Sequence, residues 1–71
     1  MQQIEFQLRG EFIALNDLLK LAGVADSGGA GKALVAAGAV RVDGATELRK
    51  TAKIRAGQVV SIGDVRIRVV A

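Results

Sequence analysis

Histidine, cysteine, tryptophan, tyrosine and proline are all missing from this chain, and phenylalanine occurs only as Phe6 and Phe12. Each absence closes a class of function. Without cysteine there is neither a disulfide nor a thiolate metal site. Without histidine the commonest general acid–base near neutral pH is gone, and Ser27 and Ser61 have no imidazole to activate them as nucleophiles. Two phenylalanines without tyrosine or tryptophan make no platform for stacking single-stranded bases. The carboxylates of Asp17, Asp26, Asp43 and Asp64 fall where a helix dipole, a cap or a turn accounts for them, and no clustered set points to a metal ion. No enzymatic centre and no cofactor are expected.

Long apolar runs are missing too. Nowhere do roughly 20 apolar residues follow one another, as a membrane helix requires. Residues 1–10 contain Glu5 and Arg9 and do not read as a secretory signal. The expected compartment is the cytoplasm. Hydrophobic residues nevertheless make up 51% of the 71 positions, enough for one compact core, so a single domain over 1–71 is expected. A chain of this size buries only about 60% of its unfolded surface, which leaves a thin stability margin.

Charge is distributed unevenly. Residues 1–31 hold Arg9 and Lys20 against four acids and carry −2; residues 32–71 hold eight cations against Asp43, Glu47 and Asp64 and carry +5. An anionic partner for the second half is the implication, with a merely solvated surface as the alternative.

The patterning supplies the elements. Ile4, Phe6 and Leu8 alternate with polar residues as in a half-buried strand, which Gly10 closes. Leu15, Leu18, Leu19 and Ala22 form one face of an amphipathic helix ending at Gly23, although Ala14 is a poor N-cap. Asp26 or Ser27 caps a second helix, expected from about Gly28 to Ala37 with Ala33, Leu34 and Ala37 facing inward. Val40–Val42, the Asp43-Gly44 turn and a return strand near Thr46–Arg49 form a hairpin across which Arg49 can face Arg41. Residues Lys50 to Lys53 read as an irregular excursion. Val59–Ile62, the Gly63-Asp64 turn and the alternating Val65, Ile67 and Val69 close the chain, with Arg66 and Arg68 on a solvated face.

Gly28, Gly29 and Gly31 oppose helix formation by roughly 1 kcal/mol each relative to Ala. Two explanations fit. The glycines expose first-turn N–H groups at the positive end of the helix dipole, a natural anion site to which Lys32 adds a charge. Alternatively, Gly28 or Gly29 lets the helix approach the hairpin backbone. A nucleotide loop is excluded: Ala33 stands where Gly-Lys should be followed by Ser or Thr, Asp26 stands where its first Gly should be, and Leu34 spoils a dinucleotide fingerprint.

The series Leu15-x-x-Leu18-Leu19-x-x-x-Gly23, Ser27, Gly38-x-Val40-x-Val42-Asp43-Gly44 and Gly57-x-Val59-Val60 resembles the S4 RNA-binding domain. The Gly28-Gly29-Ala30-Gly31-Lys32 start and Glu47-x-Arg49-Lys50 look most like its small stand-alone members of the YbcJ type. The resemblance implies an α+β fold, in which an αL motif of two short helices and a β-hairpin packs on a small, mainly antiparallel sheet. It also implies non-catalytic binding of structured RNA, such as ribosomal or transfer RNA, through the second helix and the hairpin. Many S4 domains follow the serine with arginine; here Lys32 is the second helix's only cation. The expected RNA-binding residues are Ser27, Gly28, Gly29, Lys32, Arg41, Arg49, Lys50, Lys53 and Arg55. A competing partner is an acidic protein docking on the same basic hairpin or pairing with a free sheet edge. No membrane contact is expected.

Overall fold

The alternation of Ile4 and Phe6 with Gln3, Glu5 and Gln7 is realised as strand β1 (Gln2–Gln7), with its polar residues exposed and its apolar ones turned inward. The computed structural model describes residues 2–71. Next come β2 (Ile13–Ala14), α1 (Leu15–Leu21) and α2 (Gly28–Ala36), then β3 (Val40–Val42), β4 (Ala45–Thr46) and β5 (Lys53–Ile54), and finally β6 (Val59–Ile62) and β7 (Val65–Val70).

Five strands form one sheet in the order β1-β7-β6-β3-β4. Only the β1–β7 pair is parallel. Two helices on a mainly antiparallel sheet make this the α+β fold expected. In β7, Ile67 and Val69 point into the core while Arg66 and Arg68 point out. Val40 of β3 and Val60 and Ile62 of β6 line the same inner face, and Leu15, Leu18, Leu19 and Val35 of the helices pack against them. The opposite sheet face is left to solvent.

Local chemistry explains the helix ends. Gly23 and Gly38 follow α1 and α2 at φ +80° and +75°, a left-handed conformation that only glycine adopts without steric cost. At each end, backbone N–H groups just past the helix bond back to its last carbonyls: Ala25 to Leu19, and Ala39 to Leu34. Asp43 and Gly44, at φ 52° and 85°, form the two-residue turn read from the sequence.

Four expectations are corrected. The inner face of α2 carries Gly31 and Val35, with Leu34 half-buried, whereas Ala33 and Ala37 are exposed. The helix is rotated because its contact partner is α1, not the hairpin. The return strand is only β4, in which Thr46 and not Arg49 faces Arg41. Lys53 is not part of an irregular excursion: with Ile54 it pairs antiparallel to Ile13–Ala14 in a second, two-stranded sheet. The close approach occurs at Gly31 rather than at Gly28 or Gly29, since a Cβ on Gly31 would lie 2.7 Å from the Asn16 carbonyl oxygen.

Candidate nucleic-acid interface

Helix α1 lacks a side-chain cap at Ala14. Its first N–H groups are instead satisfied from a distance. Leu15 N–H donates to the Ala52 carbonyl at 2.9 Å and Asn16 N–H to the Lys50 carbonyl at 3.1 Å. This seals two groups that every helix start leaves open. It also runs Lys50–Ile54 antiparallel beside Ile13–Asn16.

Helix α2 begins against the same residue. Ser27 is its N-cap, with Oγ accepting from Ala30 N–H at 3.1 Å. The N–H groups of Gly28 and Gly29 have no acceptor among the described residues. With no side chain over them, they remain open to an anion at the positive end of the helix. Asn16 Nδ2 lies 3.5 Å from where a Gly28 Cβ would be. The start of α1, the start of α2 and the segment at Lys50 therefore meet at Asn16.

Asn16 is a candidate that sequence reasoning missed. It is buried, at 6% exposure, and its Oδ1 has no hydrogen-bond partner among the described residues. Its only side-chain bond is a long one, Nδ2 to Asp17 Oδ1 at 3.5 Å. Asn16 lies off the leucine stripe, so periodicity gave no signal for it.

The cations divide into groups. Lys32 is exposed one turn after Gly28, and because helical side chains lean toward the N-terminus it shares the side of the open N–H groups. Lys50 is exposed, with its carbonyl held by Asn16. Lys53 and Arg55 flank buried Ile54 and lie against the Phe12 ring, with Nζ 4.9 Å and Cζ 5.7 Å from its centroid. Such cation–π contacts contribute about 0.5–1 kcal/mol at exposed sites. Phe12 itself is 43% exposed.

Two of the expected residues stand apart. Arg49 is clamped by Glu47, with Nε to Oε2 at 3.1 Å, Nη2 to Oε1 at 3.0 Å and its own backbone N–H to Oε2 at 3.1 Å. The Arg49 hydrogen bonds hold the Glu47 carboxyl down at about 2, and the guanidinium, though exposed, is tied to that one carboxylate. Arg41 is exposed on the outer sheet face between Thr46 and Ser61, on the side away from the helices. The structure thus brings the α2 start at Ser27, Gly28 and Gly29 and the backbone of Lys50 to Asn16, with Lys32 exposed one turn along α2. It sets Lys53 and Arg55 against Phe12, turns Arg41 to the outer sheet face and ties Arg49 to Glu47. No three His, Cys, Asp or Glu side chains come together among the described residues, and no helix is long and apolar enough to cross a membrane.

Comparison with known proteins matches residues 6–70 to the S4 domain. The Escherichia coli (strain K12) protein named "Putative RNA-binding protein YbcJ" is 51% identical over 59 residues, covering 83% of this chain and 84% of the relative. "Uncharacterized protein YbcJ" of Shigella flexneri matches to the same extent. The solution structure of YbcJ from E. coli superposes with a TM-score of 0.76 at 44% identity, covering 100% of this chain and 91% of the other. It is described as revealing an αL motif involved in RNA binding.

Proposed function

This chain belongs to the S4 domain family, and from that membership we propose that it is a non-catalytic module, acting as one domain over 1–71, that grips the phosphates of structured RNA. The observation that carries the reading is the junction at Asn16, which sets the open N–H groups of Gly28 and Gly29 beside the turn bearing Lys50. In this reading one phosphate sits on the α2 start, held by the Gly28 and Gly29 N–H groups and by the charge of Lys32. Ser27 shapes that turn by taking the Ala30 N–H. Lys50 meets a neighbouring phosphate. Lys53 and Arg55, steadied on Phe12, extend the contact along the backbone.

A folded RNA suits this surface better than a single strand. The only exposed aromatic ring, Phe12, already has two cations against it, and a single ring makes no platform for successive bases. Recognition then rests on phosphate geometry, with ribosomal or transfer RNA in the cytoplasm as the natural class. Four cations in contact predict a log–log salt slope of roughly −2.8 to −3.6, at about 0.7–0.9 per phosphate. The test is fluorescence anisotropy with a labelled RNA stem-loop. Lys32→Gln with Lys50→Gln should weaken binding about tenfold and flatten the slope by roughly 1.4–1.8. Unchanged affinity at low salt would remove this site.

A further inference from the structure

Three of the chain's arginines stand on the sheet face that no helix covers. Strand register places Gln3 opposite Arg66, Arg66 opposite Ser61, Ser61 opposite Arg41 and Arg41 opposite Thr46. This row crosses all five strands, and every side chain in it can donate a hydrogen bond. It contains no carboxylate. Adjacent strands lie about 4.8 Å apart, so Arg66 and Arg41 flank Ser61 at a backbone separation of roughly 10 Å. Neither arginine has an acidic partner among the described residues.

Two of the nearby acids are engaged, while Asp64 stands exposed in the turn before β7. In the neighbouring row Glu5 lies 3.6 Å from Arg68, and Asp43 accepts from Val59 N–H at 2.9 Å and from Gln58 Nε2 at 3.4 Å. Two hollows adjoin the row. One, of about 370 Å³, is lined by Gln3, Glu5, Val59, Arg66 and Arg68. The other, of about 330 Å³, is lined by Gly38, Ala39, Arg41, Ser61 and Gly63. Each has an unpaired arginine in its wall.

We propose that this open sheet face is a second phosphate-binding surface, centred on Arg66, Ser61 and Arg41, which takes the backbone of an RNA segment on the side opposite α1 and α2. The occupant follows from the charge. Two exposed guanidiniums without an acidic partner among the described residues leave this face locally cationic, and phosphates are anions that would answer both. Arginine's planar fork suits phosphate oxygens, and the hydroxyls of Ser61 and Thr46 supply further donors. The protein would then be held between two RNA segments, one on each face. This inference rests on the RNA-binding reading above.

The experiment compares two double variants by anisotropy with the same labelled stem-loop over a range of salt. Arg41→Gln with Arg66→Gln should weaken binding about tenfold at low salt and flatten the slope by roughly 1.4–1.8, and the paired lysine substitutions should restore the slope. In the wild type, added RNA should shift the backbone amide signals of Ser61 and Arg66 in an NMR titration. The arginines are exposed, so an unchanged melting temperature confirms folding. If the arginine variant binds like wild type while Lys32→Gln with Lys50→Gln binds weakly, the second surface is refuted and the first stands. If wild type binds no RNA, both fall.

Discussion

Gly31 of α2 rests on the backbone of Asn16 in α1, so closely that a Cβ on Gly31 would stand 2.7 Å from the Asn16 carbonyl oxygen and 3.3 Å from its Cα. Backbone cannot step aside as a side-chain tip can. The helix pair is therefore set by this single missing methyl. Gly31→Ala should destabilise the domain by about 1–3 kcal/mol, the range for overpacking, despite the better helix propensity of alanine. Gly29→Ala should do the opposite. The nearest atom to a Cβ there is Ser27 Oγ at 3.8 Å, so the propensity gain of up to about 1 kcal/mol is available. Thermal melting of the two variants should move in opposite directions.

Asn16 offers a second test at the same junction. A buried polar atom without a partner costs about 1–3 kcal/mol, whereas an apolar group of similar shape is nearly neutral or better. Asn16→Leu should therefore hold or raise the urea midpoint, because Oδ1 has no partner to lose. RNA affinity should fall, since Nδ2 sits beside the open start of α2.

Glu47 restrains Arg49. Glu47→Gln removes one negative charge and weakens the fork that holds the guanidinium, so affinity for an RNA stem-loop should rise by several-fold and the salt slope should steepen by about one contact's worth, roughly 0.7–0.9. The same pair sets a pH dependence. The folded Glu47 carboxyl sits at about 2, below its ordinary 4.5. Its stabilising contribution is therefore complete above pH 4.5 and is lost as pH falls from there toward 2. Any melting advantage of wild type over Glu47→Gln should shrink across that window. The advantage will be small, because Arg49 is 81% exposed and solvent screens the pair.

Leu18 measures the core. It is fully buried among the leucines of α1 and the sheet's inner valines and isoleucines. Leu18→Ala should cost about 2–5 kcal/mol. For a domain this small that is a large share of total stability, so the urea midpoint should drop sharply or the cooperative transition should vanish.

Much of the fold was legible in the chain because its causes are local. Alternation at Ile4 and Phe6 makes β1, and the Leu15, Leu18 and Leu19 stripe makes α1. Gly23 and Gly38 end helices because of their own backbone freedom, and Asp43-Gly44 turns a hairpin for the same reason. The Ser27 cap needed only the N–H three residues on. Of the site, the same local chemistry pointed to the glycine-rich start of α2 and to the surplus of cations after it.

What escaped depended on partners far along the chain. The two-residue strands β2 and β5 are too short to show a period. The missing cap of α1 is supplied by carbonyls of Lys50 and Ala52, more than thirty positions away. The inner face of α2 was decided by contact with α1 at Gly31, and hairpin register put Thr46 rather than Arg49 opposite Arg41.

By itself, then, the sequence determined the helices, the longer strands and the turns between them, and that its second half is cationic, since steric freedom, capping and periodicity act within a few residues. Only the tertiary structure decided where those cations stand. It gathered Lys50 with the α2 start at Asn16, tied Arg49 to Glu47 and carried Arg41 to the far sheet face. A side chain's neighbours across strands and helices are set by register and packing, and no local rule reaches that far.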